Sequence, residues 1–171
     1  MGASRILSRT VVGAVALGLA VTGLVATAGS ASADSYETKS TNCSWTDGSA
    51  GLELYYNSNE GGAAAFMCSD VYDYAGYVYS PNGAVADHVT YVFSSKYAGS
   101  AGNGVALKNN AASAEAQWGA FSGNIPGYYM VYYNSGYAGH SQYFGALDNG
   151  GAPANLDSTL KNNEASQRAF A

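Results

Sequence analysis

Few side chains in this sequence are of a type that does chemistry. The only thiols are Cys43 and Cys68, and the only imidazoles are His88 and His140. There is no His-Glu-x-x-His string to hold zinc and no Gly-x-Ser-x-Gly elbow to present a nucleophile. Each histidine stands alone in a strand-like stretch between turns, where an imidazole is usually a surface or structural group. The carboxylates are scattered, and only Asp70 and Asp73 fall at a suggestive spacing. The residues therefore predict a protein that is not an enzyme, with no catalytic residue, no metal site and no cofactor. Tyrosine is what the chain has in quantity, 15 in all. Its large rigid ring and polar tip suit recognition surfaces, and equally the packing of a small β core.

Residues 1–33 read as an export signal. Arg5 and Arg9 supply a positive start, 11–27 is apolar and uncharged, and Ala31-Ser32-Ala33 forms a small-x-small cleavage site. The expectation is a secreted, extracellular protein that begins at Asp34 and keeps no membrane segment after cleavage. Without Arg5 and Arg9, five basic residues stand against twelve acids, a net charge of −7. Nucleic acid is excluded as a partner on that balance, since it needs a basic face. In an exported chain an even pair of cysteines forms a disulfide as a rule. Bridging Cys43 to Cys68 closes a loop of 26 residues counting both ends, worth about 3 kcal/mol in the chain-entropy treatment.

The elements that position these residues are duplicated. Tyr55-Tyr56-Asn57-Ser58 returns as Tyr132-Tyr133-Asn134-Ser135, each followed by a glycine at the same distance, Gly62 and Gly139. Leu107-Lys108-Asn109-Asn110 returns as Leu160-Lys161-Asn162-Asn163. Two copies in the same order make an internal repeat. In the first copy 52 residues separate Asn57 from Asn109, against 28 between Asn134 and Asn162, so it carries about 24 extra residues within 71–104. Alternation of Leu52, Leu54 and Tyr56 predicts a strand, with the Asn- and Gly-rich 57–62 as its turn. Within the insertion, Tyr77-Val78-Tyr79 and 89–93 flank Pro81-Asn82-Gly83, which predicts a hairpin. Residues 34–41 read as a flexible lead-in, 105–108 as a short strand, 111–117 as one helical turn and 156–161 as the last strand. The mature chain is of single-domain size, with the domain over 42–171, and is expected to be a monomer.

An aromatic residue, six residues, then glycine, with Ser158-Thr159-Leu160-Lys161 closing the second copy, resembles the Greek-key motif of the βγ-crystallins. The resemblance implies an all-β sandwich of two duplicated motifs. The strings YYNSN-x-GG and LKNN-x-AS look most like secreted actinobacterial proteins grouped with the streptomycete metalloproteinase inhibitor, which implies peptidase inhibition and an extracellular peptidase as partner. That inhibitor acts through a loop braced by a short-range disulfide. This chain has no closely spaced cysteines, so no inhibitory residue is carried over. Two loops could serve instead as a rigid, substrate-like plug. The first is 80–88, tipped by Pro81, Asn82 and Gly83 with Tyr77, Tyr79 and Tyr91 as rim anchors, and the second is 145–154. Crystallin-type calcium sites use two Asn or Asp, two free positions, then two hydroxyl residues. By spacing this falls on 154–159, which lacks the first amide or acid, so at most one weak site is expected. The Asn-Asn strings at 109 and 162 read instead as hydrogen-bonded turns. The alternatives to inhibition are a calcium-binding crystallin-like structural module and a cell-surface or toxin-like binding protein that uses the tyrosine-rich insertion.

Overall fold

Strands in this chain come from paired hairpins, and they run in the order β1 (Ser35–Lys39), β2 (Gly51–Asn57), β3 (Gly61–Met67), β4 (Tyr77–Tyr79), β5 (Asp87–Tyr91), β6 (Ser113–Gln117), β7 (Tyr128–Asn134), β8 (Ala138–Gly145), β9 (Ala154–Asn155) and β10 (Ser166–Phe170). The computed structural model describes residues 34–43, 50–80, 86–117, 127–145 and 153–170. They contain no helix, and all fall within one compact unit. The export signal expected over 1–33 lies outside them. Three sheets form, ordered β3-β2-β6-β9, β10-β7-β8 and β1-β5-β4.

The first two sheets are the duplicated motifs, and each borrows from the other. β9, which follows the second hairpin, pairs with β6 of the first motif. Val71, which follows the first hairpin, pairs with Gln167 of β10 through two N–H···O bonds of 3.0 Å. This reciprocal exchange makes two interlocked Greek keys. Leu52, Leu54 and Met67 from one sheet meet Tyr129, Val131 and Phe144 from the other in one hydrophobic core. The repeated Leu107 and Leu160 are both fully buried in it, each worth about 1.5–3 kcal/mol of transfer free energy.

The two hairpins share an unusual backbone. Asn59 (φ 56°), Glu60 (φ 57°) and Gly62 (φ 80°) are matched by Gly136 (φ 77°), Tyr137 (φ 60°) and Gly139 (φ 83°). Left-handed backbone costs a side-chain-bearing residue roughly 1–2 kcal/mol. A serine in the last strand of each motif offsets this. The Ser113 hydroxyl donates to the Asn57 carbonyl (2.7 Å) and accepts the Glu60 N–H (3.0 Å). The Ser166 hydroxyl donates to the Asn134 carbonyl (2.7 Å) and accepts the Tyr137 N–H (3.1 Å). Both serines are buried.

The insertion forms the predicted hairpin: β4 and β5 pair antiparallel, Tyr77 opposite Val89. Other expectations are corrected. Residues 34–41 are not a loose lead-in, because β1 pairs in parallel with β5 and Thr41 bridges to Phe66. Their polar sequence reflects an edge position with little burial. The stretch 111–117 is no helical turn but contains β6, since pairing along the whole of Tyr55–Gly51 overrides the helix preference of alanine. Of 105–108, only Ala106 makes a bridge, to Val92. Residues 158–163 are turn rather than the last strand. The Asp157 carboxylate accepts the N–H groups of Thr159 (2.9 Å) and Leu160 (3.0 Å), which closes the chain into that turn. The last strand is β10.

Cys43 and Cys68 are disulfide-bonded, with their Cα atoms 5.1 Å apart. The bridge ties the segment after β1 to the end of β3.

Ser166→Ala should lower stability by about 1–2 kcal/mol, because it strips a part-buried N–H and C=O of their shared partner. Urea denaturation checks this, with the exposed Asn163→Ala as a control that changes little. Equal stability of Ser166→Ala and parent would remove the serine from its pinning role.

Candidate binding surface

The small sheet β1-β5-β4 ends on β4, whose outer edge has no strand partner among the described residues. All three of its residues are exposed, Val78 at 63% and Tyr79 at 57%. On the opposite edge strand β1, across β5, the 78%-exposed Tyr36 lies flat on the His88 ring, centroids 4.4 Å apart. The loop end of the hairpin is clamped. Asp34 accepts the Ala86 N–H (3.0 Å), and this bond is the main cause holding its carboxyl below the usual range. The Ser35 N–H donates to the Ala86 carbonyl (3.0 Å), and the Ser35 hydroxyl bonds the Asp87 carboxylate. Free edge strands template pairing with another chain, which proteins usually block. Here the edge is left open and flanked by aromatic rings.

Behind this sheet is an open groove of about 550 Å³, lined by Glu37, Lys39, Asn42, Tyr77 and Tyr91 among others. Tyr91 does not act as a rim anchor for the hairpin tip. It is 5% exposed and belongs to the core, and burial raises its phenol pKa. It shares strand parity with the buried Val89, so its ring turns inward while His88 and Thr90 face the other way. The tip residues Pro81, Asn82 and Gly83 lie outside the described residues, as does most of the second candidate loop. What is described is the pair of arms that carry the first.

The other candidate groups are committed to the frame. His140 contacts Asp157 at 2.6 Å, and the hydrogen bond from His140 is the main cause lowering the Asp157 carboxyl. The other Asp157 oxygen closes the 158–160 turn. Asn155 exchanges two hydrogen bonds with Asn59, 2.8 Å to the N–H and 3.0 Å between amides. Of the side-chain oxygens that 154–159 offered to calcium by spacing, those of Asn155 and Asp157 are thus used internally. The serines that pin the hairpins follow Ala112 and Ala165, which have no side-chain oxygen to offer. Among the described residues, no group of three or more His, Cys, Asp or Glu is placed to hold a metal ion. The two Asn-Asn strings are turns, with the Asn110 amide donating to the Lys108 carbonyl (2.9 Å) and Asn163 to Lys161 (3.1 Å).

Sequence reasoning missed a carboxylate cluster on the outer face of β2 and β6. The Gln117 amide donates to Glu53 (2.7 Å) and Glu115 (3.2 Å), and Tyr55 reaches Glu115 at 3.4 Å. Burial raises both carboxyl pKa values and that of the Tyr55 phenol. The register Glu53↔Glu115 creates this cluster, and no local pattern announces it.

The fold and surface define an all-β Greek-key protein of two duplicated motifs with a third sheet. No family model matches the chain, and no curated protein does. Among solved structures it is similar to a chain described under the evolution of the eye-lens βγ-crystallin domain fold, with 12% identity, covering 75% of this chain and 93% of that one at a TM-score of 0.43. It is also similar to a βγ-crystallin from an archaeon, with 15% identity, covering 71% of this chain and 99% of that one at a TM-score of 0.40.

Glu164 is the one position where the two LKNN-x-AS strings differ. Its carboxylate replaces the methyl of Ala111 and accepts the N–H groups of Asn110 (2.9 Å) and Ala111 (2.7 Å). The residue is fully buried, and its second oxygen has no partner. Burial pushes its pKa from 4.5 up to about 8, against the pull of those backbone donors. Between these values the folded state holds a proton that the unfolded chain has released. Its contribution to stability therefore falls as pH rises from about 4.5 to 8 and is flat above. Glu164→Gln cannot ionise and keeps the acceptor. Urea denaturation at pH 5 and pH 8.5 should show a smaller loss of stability across that interval for Glu164→Gln than for the parent. Identical losses would mean that Glu164 does not titrate in the fold.

Proposed function

We propose that this protein is a secreted inhibitor of extracellular peptidases that presents the β4–β5 hairpin to the active-site cleft as a substrate-like element. The observation that carries this reading is the open, aromatic-flanked edge of β4. Peptidases bind substrate as an extended strand, and an exposed edge can pair in the same way. Rigidity supports it as well. β1 braces β5 on the side away from β4, and the Asp34–Ala86 and Tyr36–His88 contacts hold the arm of β5 up to the loop, which reduces the ordering cost of binding. The resemblance of YYNSN-x-GG and LKNN-x-AS to the metalloproteinase inhibitors points the same way. In this chain a paired strand takes the place of their short-range disulfide as the brace. Without a clustered set of His or Cys among the described residues, the mode is occlusion of the cleft rather than removal of the metal. The calcium-module alternative is disfavoured by the internal use of Asn155 and Asp157. A cell-surface binding role would use the same aromatic edge.

Inhibition assays against a thermolysin-like and a subtilisin-like peptidase test the proposal. Deleting 82–85, which spares the Ala86 clamp, should abolish inhibition with little change in thermal midpoint. Tyr79→Ala should weaken it at least about tenfold, the scale of an interface anchor. Tyr91→Ala should instead lower the midpoint. If the deletion variant inhibited as well as the parent, or the parent inhibited neither class, the proposal would fail, and binding to cell-wall material would become the reading to pursue.

A further inference from the structure

The two strings that define the repeat also meet in space, and they do so twice. Asn57 and Ser58 of the first hairpin, Asn110 of the first motif and Lys161-Asn162 of the second line a pocket of about 320 Å³, walled by Tyr56 and Ala112. Asn134 and Ser135 of the second hairpin, Asn163 and Lys108-Asn109 line its counterpart of about 240 Å³, walled by Tyr133 and Ala165. Position by position the two pockets carry the same residue types, and each is assembled from both motifs. Folding accounts for part of this, since Asn109 (φ 62°) and Asn162 (φ 59°) take left-handed backbone and Asn110 and Asn163 close the turns, but not for the matched lysines and serines. Surface positions beside them have diverged, Asn59 against Gly136, Glu60 against Tyr137 and Glu115 against Arg168. Identity has been kept at partly or fully exposed positions that touch the pockets.

The chemistry of each pocket is that of an anion site. A lysine ammonium sits in the wall and donates to a serine hydroxyl, Lys161 to Ser58 at 2.7 Å and Lys108 to Ser135 at 2.9 Å. A serine that accepts from lysine keeps its own hydrogen to donate outward, and the asparagine amides add further donors. An ammonium in the wall repels a cation. The pockets differ in one respect. Lys108 is paired with Asp73, its ammonium 2.9 Å from one carboxylate oxygen and 3.2 Å from the other. Asp73 enters with the segment that leads into the insertion. Among the described residues, Lys161 has no carboxylate partner.

We infer that the Lys161 pocket binds a tetrahedral oxyanion, and that at its twin the Lys108 ammonium is already neutralised by the chain's own Asp73 carboxylate. The Lys161 site takes one anionic group between the Lys161 ammonium, the Ser58 hydroxyl and the Asn162 amide. It is independent of the β4–β5 hairpin and of any inhibitory role.

Amide NMR spectra during titration with inorganic phosphate, against sodium chloride at equal ionic strength, test this. Phosphate should give saturable shifts at Ser58, Lys161 and Asn162, while chloride should not. Lys161→Met keeps the aliphatic stem and removes the ammonium, and it should abolish them with the rest of the spectrum unchanged. Asp73→Asn should release Lys108 and add a second saturable set at Lys108, Asn109 and Ser135. Shifts that fail to saturate, that chloride reproduces or that persist in Lys161→Met would overturn the site. If Asp73→Asn added no second set, the neutralisation of Lys108 as the reason its pocket is idle would be wrong.

Discussion

Two serine hydroxyls hold this fold in its shape. Each hairpin turns through two successive left-handed residues, a backbone that Asn59, Glu60 and Tyr137 would not keep by themselves. Ser113 and Ser166 each bond one carbonyl and one N–H of such a turn. A hairpin therefore needs the last strand of its own motif. That strand lies in turn beside a segment from the other motif, β9 against β6 and Val71 against β10. Local geometry and global topology are thereby coupled. A change at either serine acts on the turn, on the sheet and on the seam between the motifs.

The parts legible in the sequence are those whose cause is local. The aromatic-x6-Gly spacing marks a turn that needs left-handed backbone, and the Pro-Asn-Gly signal locates the β4–β5 hairpin. Parity along β5 was there to be read as well, since Tyr91 alternates with Val89, yet tyrosine's polar tip invited an exposed assignment. The remaining differences arise from pairing at a distance. β1 has no alternation because it is an edge strand with little burial on either face, and its partner, β5, lies about fifty residues on. Alanine-rich 111–117 extends because β2 needs a neighbour. The turn after Asp157 owes its form to one carboxylate taking two N–H groups, which a Leu-Lys pattern hides. The twin pockets were present as repeated strings, but that each string faces the other motif's partner string is a fact of topology alone.

The insertion is rooted in the frame rather than hung from it. Tyr74 at its start is fully buried and donates its hydroxyl to Gln167 of β10 (3.0 Å). Phe93 returns to the core, edge-on to Tyr56. Gly102 lies so close to the Tyr56 ring that an added Cβ would come within 2.2 Å of it. The exposed edge of β4 is therefore carried on elements whose positions are set by core contacts, as a precise recognition element requires.

The exchange of segments between motifs also bears on how the chain comes to be folded. It is the single-chain equivalent of a swapped dimer, in which each half completes the other's sheet. A first motif emerging from a ribosome would be complete in sequence and incomplete in structure. Val71 and Tyr74 would have no partner until Ala165 and Gln167 had been made. Contacts of such long sequence separation slow folding, because the loop must close before the contacts can stabilise it. Final closure of the first motif is thus deferred until residues 165–167 have been made.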